Sequence, residues 1–187
     1  MLENLVQLDK KLFVFLNGLG SENFDNLWLF ITKQAYWTPV FLFVFYLLYK
    51  KVGVKNLLIV LVSIALLITF TDQFTNLVKN YVQRLRPCND LQIKSIIRIV
   101  KTSDTFSFFS GHAANSMAST VFIFSILRKH YKHAYLLFLF PLIFAYSRIY
   151  LGLHFPGDIL TGYTVGIVFG FSLYKLYGIV HLKYFSK

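Results

Sequence analysis

The strongest constraint on the fold is a series of apolar stretches, several of them long enough to cross a lipid bilayer. A helix that spans a bilayer needs about 20 mostly apolar residues. Five such helices are predicted, over residues 25–49, 56–81, 110–127, 133–150 and 158–180. Lipid cannot hydrogen-bond the backbone, so apolar spans of this kind form helices or closed barrels. The pattern therefore predicts an all-α, polytopic membrane helix bundle, with Pro39 interrupting its first span.

Composition agrees with a membrane protein that forms a single domain over residues 1–187. Only 14% of the residues are charged and 56% are hydrophobic, whereas soluble domains average about 25% charged residues. The net charge of +11 also occurs in nucleic-acid-binding proteins, but most charges lie between apolar stretches, so we expect no nucleic-acid partner. The single cysteine, Cys88, excludes an internal disulfide and a cysteine-based metal site.

The N-terminal segment, residues 1–22, differs from the apolar stretches that follow it. Leucines recur about one helical turn apart, with charged residues between them, at Leu5, Leu8, Leu12 and Leu16. This spacing predicts an amphipathic helix that lies on the membrane surface. A short sixth span is the alternative interpretation.

The distribution of basic residues predicts the orientation, because cytoplasmic loops carry an excess of Lys and Arg. One side of the predicted bundle holds basic residues with no acidic residue among them: Lys50, Lys51, Lys55, Arg128, Lys129, Lys132, Lys183 and Lys187. We therefore expect this side and the C-terminus to be cytoplasmic. The loop over residues 85–109 then faces the periplasm or the cell exterior, and the predicted location is a bacterial inner membrane.

Two cations, Lys79 and Arg86, close the second predicted span. Arg86 precedes Pro87, where helical conformation is disfavoured, so the helix is expected to end there with both cations near the membrane interface. They suit an anionic ligand. The alternative is that these long side chains reach from a helix end toward lipid headgroups.

A Ser-Gly-His sequence, Ser110 to His112, opens the third span. Backbone N–H groups at a helix start point outward and attract anions, and Gly111 leaves one of them unobstructed. The alternative is that Ser110 is an ordinary N-cap. A polar stripe at helical spacing favours a wet cavity or a protein interior on this face: His112, Asn115, Ser116 and Ser119.

The connection between the fourth and fifth spans holds Arg148, His154 and Asp158. Asp158 follows His154 by four residues, close enough to bond one ring nitrogen and leave the other free for attack. A capped helix with an interfacial histidine is the alternative. In a bundle of five spans the three clusters open on one outward face. Such a group of cations and histidines suits a phosphoryl group.

These residues resemble the signature of the type 2 phosphatidic acid phosphatase superfamily: K-x6-R-P, then P-S-G-H, then S-R-x5-H-x3-D. The matching segments are Lys79 to Pro87, Ser110 to His112 and Ser147 to Asp158, with every internal spacing matched over 79–158. One departure is visible, because Phe109 stands where the motif has proline. The family's fold is the membrane helix bundle expected above.

The resemblance implies a role for each matching residue. Phosphate oxygens would be held by the following groups: Lys79, Arg86, Arg148 and the backbone at Ser110 and Gly111. His154 would attack phosphorus and form a phosphohistidine, and Asp158 would orient it. His112 would protonate the leaving oxygen and then activate water. The family requires no metal and no cofactor.

The implied activity is hydrolysis of a lipid phosphate or diphosphate at the outer membrane–water interface. Undecaprenyl diphosphate is the first choice, because a compact one-domain member fits recycling of a lipid carrier. The alternatives are phosphatidylglycerophosphate, phosphatidate or lipid A phosphates, or transfer of the phosphoryl group to a lipid acceptor. A transporter would spread its charges across the bilayer, whereas these charges cluster at one end.

Three further features lie outside the motifs. Additional outward cations are candidates for contacts to a second phosphate or to anionic headgroups: Arg84, Lys94, Arg98 and Lys101. Small residues at Gly162, Gly166 and Gly170 favour close packing inside the bundle, with a homodimer through this face as the alternative. Asp72, inside the second span, is either a partner for a polar group near the site or a structural acid.

Overall fold

The structure, a computed structural model, describes residues 2–184 and contains only helices and loops over that range. Six α-helices follow one another: α1 (Leu2–Gly18), α2 (Asp25–Ile31), α3 (Thr38–Val82), α4 (Gly111–Leu127), α5 (Leu139–Tyr150) and α6 (Pro156–Tyr184). Short 3-10 turns lie at Glu22–Phe24, Gln34–Trp37, Pro87–Asn89 and Ala134–Phe138. The predicted all-α class is confirmed. Lys187, one of the predicted cytoplasmic cations, lies outside the described residues.

Helix α3 is divided by a turn at Gly53. This residue has φ 74° and ψ 172°, which are not helical values. Glycine adopts positive φ without a steric penalty, so it suits the turn between the two arms, residues 38–52 and 54–82. The break lies between the two predicted spans 25–49 and 56–81.

The first predicted span, residues 25–49, is not one helix. Helix α2 ends at Ile31, and a 3-10 turn separates it from α3. Pro39 lies in the first turn of α3. Proline is tolerated there, because the first backbone N–H groups of a helix have no partner within it, so Pro39 begins a helix and does not kink one.

Two stretches of the described chain are long and apolar enough to cross a membrane, Gln34–Asn89 and Pro156–Val180. The first contains 56 residues and includes the turn at Gly53. Helix α5 with its preceding turn, Ala134–Tyr150, is shorter. The total of five spans stays a prediction.

Helices α4 and α6 form the centre of the bundle, and the glycines of α6 lie directly against the backbone of α4. A Cβ added at Gly162 would lie 2.6 Å from the Ser110 carbonyl oxygen, and one at Gly166 would lie 2.5 Å from that of Ala114. Gly170 meets Ala118 in the same way. These three glycines therefore allow close packing inside the bundle, which was the favoured interpretation. The alternative, a homodimer through this face, is not supported.

Helix α1 packs on the end of the bundle that carries α5 and the start of α6. Phe13 and Asn17 are fully buried, and the ring of Phe13 meets that of Phe155 edge-on. The Asn17 amide donates hydrogen bonds to the carbonyl oxygens of Ile149 and Tyr150, at 3.1 and 3.0 Å. In contrast, Leu8 is 62% exposed. The helix thus joins the bundle through one face and leaves much of the predicted leucine stripe outside.

Candidate active site

One cavity of about 640 Å³ receives residues from all three sequence clusters. The clusters meet because α3 ends, α4 begins and α5 ends on the same face of the bundle. The predicted residues that line the cavity are Lys79, Arg86, Gly111, His112, Arg148 and His154. Their roles in binding and catalysis remain predictions.

His154 and Asp158 form a buried pair. His154 lies in the loop between α5 and α6, and its Nδ1 is 3.4 Å from Oδ2 of Asp158, in the first turn of α6. Their side chains are 1% and 0% exposed. Burial lowers the pKa of His154 well below its usual range, although the Asp158 carboxylate opposes this shift. The ring is therefore neutral near pH 7, and a proton on Nδ1 leaves the lone pair of the ring on Nε2.

Asp158 is held by several donors at once. Its Oδ2 accepts hydrogen bonds from the Ser107 hydroxyl and from the Phe155 backbone N–H, the latter at 2.9 Å. Its Oδ1 lies 2.8 Å from Nη1 of Arg84. A fully buried carboxylate needs such partners, because removing an unpaired charge from water is costly. The result is a fixed orientation for the group that faces His154.

Arg86 donates a hydrogen bond from Nη1 to Nε2 of the neutral His154 ring, at 3.0 Å. The loop around residue 105 holds the rest of this side chain. Nε donates to the Thr105 carbonyl oxygen and Nη2 to the Thr105 hydroxyl, each at 2.8 Å. Arg86 is only 4% exposed. A cation fixed beside His154 is well placed to hold an oxygen of a phosphoryl group bound in the cavity.

Arg148 has an unused donor. Its Nη1 donates to the Thr32 hydroxyl at 2.6 Å, whereas its buried Nε has no hydrogen-bond partner among the described residues. Buried donors in native proteins are almost always hydrogen-bonded, so the unpaired Nε is a candidate for a hydrogen bond to a ligand.

His112 is exposed toward the cavity and stacks on the Phe144 ring, with centroids 5.4 Å apart.

Ser110 differs from the sequence expectation. Its backbone N–H donates to the Asp158 carbonyl oxygen at 3.0 Å, so it is not free to bind phosphate. Its hydroxyl accepts from the Ala113 N–H at 3.4 Å, which makes it the N-cap of α4, the alternative given above. The predicted anion cradle at this helix start is therefore reduced to the backbone N–H groups after Ser110, beginning with that of Gly111. A Cβ added at Gly111 would lie 3.3 Å from Thr75.

Arg84 is not placed to meet a second phosphate. It bridges two carboxylates, with Nη1 2.8 Å from Asp158 and Nη2 2.7 Å from Oδ2 of Asp9 in α1. Asp9 also accepts a hydrogen bond from the Gly157 N–H, at 2.7 Å. The sequence contains no signal for this chain of contacts, because residue 9 is far from residues 84 and 158 and its spacing carries no motif.

The remaining outward cations also lie outside the cavity. Nη2 of Arg98 binds both carboxylate oxygens of Asp25, at 2.8 and 3.1 Å, and this hydrogen-bonding raises the pKa of Arg98 further. The guanidinium lies over the Tyr150 ring, 5.4 Å from its centroid. Lys94 and Lys101 are exposed. Arg98 is already paired, because Asp25, near the N-terminus, folds back onto the loop.

Over residues 3–180, whose side chains the structure describes, no three His, Cys, Asp or Glu residues are grouped closely enough to hold a metal ion. The site is instead a neutral histidine backed by a carboxylate, with two arginines and a lysine in the same cavity. Such an arrangement can bind a phosphoryl group and attack it.

A model of the PAP2 superfamily matches residues 56–180, which include every motif residue. The chain belongs to the PAP2 superfamily. It is 36% identical over 185 residues to a lipid A 4'-phosphatase of Bacteroides thetaiotaomicron, covering 97% of this chain and 80% of that protein. A lipid A 4'-phosphatase of Porphyromonas gingivalis is 29% identical, with 94% and 75% covered. Phosphatidylglycerophosphatase B of Bacillus subtilis is 33% identical over 57% of this chain and 53% of its own length.

Two solved structures share the fold. The transmembrane PAP2-type phosphatidylglycerolphosphate phosphatase of Bacillus subtilis superposes with a TM-score of 0.69 at 20% identity, covering 98% of this chain and 89% of that one. Aquifex aeolicus LpxE gives a TM-score of 0.57 at 23% identity, with 88% and 93% covered. The predicted family and the predicted enzyme class, a lipid phosphatase, are thereby confirmed.

Proposed function

We propose that this PAP2 protein hydrolyses a phosphate monoester of a lipid through a phosphohistidine formed on His154. The observation that carries the proposal is the orientation of the His154 ring. Its Nδ1 faces Asp158 at 3.4 Å, and its Nε2 faces the cavity beside Nη1 of Arg86 at 3.0 Å. In a neutral ring held in this way, the lone pair on Nε2 accepts a hydrogen bond from Arg86. When phosphate oxygens take over the Arg86 donor, this lone pair becomes free to attack phosphorus.

The reaction proceeds in two displacements at phosphorus. Lys79, Arg86 and Arg148 hold the non-bridging oxygens while His154 attacks. The Nε2–P bond forms, the P–O bond to the lipid breaks, and His112 gives its proton to the departing oxygen to produce an alcohol. Neutral His112 then takes a proton from water, the water oxygen attacks phosphorus, and the N–P bond breaks to release inorganic phosphate.

We assign a lipid A-type phosphate as the substrate, which was one of the alternatives to undecaprenyl diphosphate. Both relatives that match more than nine-tenths of this chain are lipid A 4'-phosphatases. The charge distribution agrees, because Arg84 and Arg98 lie outside the cavity and each is bound to a carboxylate. They are therefore poorly suited to bind the second phosphate of a diphosphate.

The proposed enzyme lies in the inner membrane with five spans, its active site facing the periplasm or exterior and its C-terminus in the cytoplasm. Basic residues gather at the end of the bundle opposite the cavity. Lys51 lies over the Tyr131 ring at 5.4 Å, and Lys129 lies over the Tyr174 ring at 5.9 Å. The turn at Gly53 and the loop after α4 therefore lie together, as the cytoplasmic side requires.

Thiol labelling tests this orientation. Lys132→Cys and Lys101→Cys lie at the two ends of the bundle and are exposed, whereas the native Cys88 is buried. A membrane-impermeant maleimide added to intact cells should label Lys101→Cys and leave Lys132→Cys unlabelled until the membrane is opened. The reverse pattern would invert the proposed topology.

The substrate assignment is tested by phosphate release from the purified protein in vesicles, with His154→Ala as the blank. The panel is lipid A carrying a 4'-phosphate, undecaprenyl diphosphate, phosphatidylglycerophosphate and phosphatidate. We expect the highest kcat/KM for lipid A. A preference for undecaprenyl diphosphate would restore the first choice made from sequence. Labelled phosphate recovered on a second lipid would indicate transfer, and no release above the blank would refute the proposed activity.

A further inference from the structure

Asp72 is a carboxylate within the apolar stretch Gln34–Asn89, and the phosphoryl chemistry does not use it. Its side chain is exposed and lines the cavity. Oδ1 accepts a hydrogen bond from the Asn115 amide of α4 at 2.6 Å. Charged residues inside membrane spans are costly and face a protein interior or a wet cavity, where they mark functional sites.

Three more polar side chains accompany Asp72 on the walls of the cavity. We refer to the four together as the polar wall: Asp72, Asn76, Asn115 and Ser119. The buried Oδ1 of Asn115 has no hydrogen-bond partner among the described residues. By contrast, the hydroxyls of Thr75 and Ser116, which also line the cavity, bond to carbonyl oxygens of their own helices. The polar wall therefore offers donors and acceptors that its own helices do not use.

The two helices that carry the polar wall show the same order of side chains with depth. Along α3, moving away from the phosphate cluster, Lys79 is followed by Asp72 and then by Ile68. Along α4 the corresponding order is His112, Ser119 and Ile123. Seven residues of helix rise by about 10 Å. The cavity thus has a charged end, a polar zone that extends about 10 Å from it and an apolar end.

This order matches one kind of amphipathic substrate. In a polyprenyl phosphate the group next to the phosphate is hydrocarbon, which would leave the polar wall unpaired. In phosphatidate only a glycerol ester separates the phosphate from the acyl chains. A phosphorylated, acylated sugar instead carries hydroxyl and amide groups between its phosphate and its chains. These groups are natural partners for carboxylate and amide side chains.

We propose that the polar wall is a subsite for a sugar that carries the reacting phosphate, with the acyl chains of the substrate in the apolar end of the cavity. The inference rests on the proposed hydrolysis at His154 and names the substrate class of that same site. A polar site that a bound substrate covers discriminates strongly against analogues that cannot satisfy it, because its own groups are then left unpaired.

The test compares two phosphate monoesters with identical acyl chains, a diacylated glucosamine phosphate and phosphatidate. Asp72→Asn and Asn76→Leu should each lower kcat/KM for the sugar phosphate by about ten-fold or more, the loss expected for one hydrogen bond to a charged or buried group. Their kcat/KM for phosphatidate should change by less than about two-fold. The matched control is Gln73→Leu, because Gln73 is an exposed amide of α3 that does not line this cavity, and it should leave both substrates unaffected.

Binding to the His154→Ala protein separates failure of the subsite from failure of the proposed hydrolysis, because binding needs no turnover. In that background Asp72→Asn should raise the Kd of the sugar phosphate about ten-fold and leave the Kd of phosphatidate unchanged. If the wild-type protein cleaves neither lipid but shows this pattern of binding, the hydrolysis proposal fails and the subsite stands. Equal effects on both lipids, in rate or in binding, would overturn the subsite.

Discussion

Replacing Arg84 by glutamine distinguishes a residue that positions the catalytic pair from one that binds a second phosphate. Arg84 lies 2.8 Å from Asp158 and 2.7 Å from Asp9. The Asp158 side chain is 0% exposed, whereas those of Arg84 and Asp9 are 20% and 15% exposed. It therefore acts on the reaction only through Asp158 and the His154 ring. We expect kcat to fall while KM for a lipid phosphate stays nearly constant.

The size of the effect follows from the contact that is lost. A hydrogen bond to a charged group contributes about 1.5–3 kcal/mol, and each factor of ten in rate corresponds to about 1.4 kcal/mol. If this hydrogen-bond energy is lost entirely from the transition state, in which Asp158 stabilises the attacking His154, kcat for Arg84→Gln falls about 10- to 150-fold. The free energy of unfolding of this variant should also fall, because Asp158 is left as a buried carboxylate with one donor fewer.

Steady-state kinetics on a lipid monophosphate and a lipid diphosphate provide the assay. Asp9→Asn keeps an acceptor for the Gly157 N–H but weakens the pairing with Arg84, so it should lower kcat less than Arg84→Gln does. The double variant should be no slower than Arg84→Gln alone, because both changes act on one chain of contacts. A raised KM for the diphosphate, with kcat unchanged, would refute this reasoning and restore the second-phosphate role. Arg98→Gln, which alters another paired arginine outside the cavity, is the matched control.

Three other predictions concern protonation, inhibition and packing. Because burial lowers the pKa of His154, its ring should stay neutral, with the proton on Nδ1, down to about pH 5, since an unperturbed histidine titrates near 6.5. Nitrogen-15 NMR, with His154→Ala for assignment, measures this, and a midpoint near 6.5 would contradict it. Orthovanadate should compete with the lipid phosphate, and Arg148→Ala should weaken its inhibition, since the unpaired Nε is lost; an unchanged inhibition constant would argue against this contact. Gly166→Ala should destabilise the protein by about 1–3 kcal/mol, because the new methyl group meets the Ala114 backbone. Gly178→Ala, which meets nothing within 4 Å, should not, and equal thermal denaturation of the two variants in detergent would count against the packing argument.

The parts of the site that could be predicted from sequence are those encoded over short distances. The four-residue gap from His154 to Asp158 predicts their contact directly, because one helical turn and its preceding loop bring them together. Lys79 likewise lies in the last turn of α3 and Arg86 in the loop that follows, although the helix ends at Val82, before the Pro87 that was expected to stop it. The all-α class follows from the apolar stretches, since only helices satisfy their own backbone within one segment.

The parts that could not be predicted depend on contacts between distant residues. Asp9 reaches Arg84 only because α1 folds back over the end of the bundle, and no periodicity records that approach. The same holds for Asp25 and Arg98, so two cations expected to face a second phosphate are paired elsewhere. The bond from the Ser110 N–H to the Asp158 carbonyl oxygen depends on how closely α6 packs on α4. It removes one donor from the predicted cradle.

The most direct test of the account is detection of the phosphoryl group on His154. Lipid substrate labelled with phosphorus-32 is mixed with the protein and quenched within one turnover, and the labelled peptide is sequenced by mass spectrometry. We predict an acid-labile, alkali-stable phosphate on His154 that is absent in His154→Ala. Full turnover with no label on His154, or label on another residue that persists in His154→Ala, would contradict the proposed mechanism.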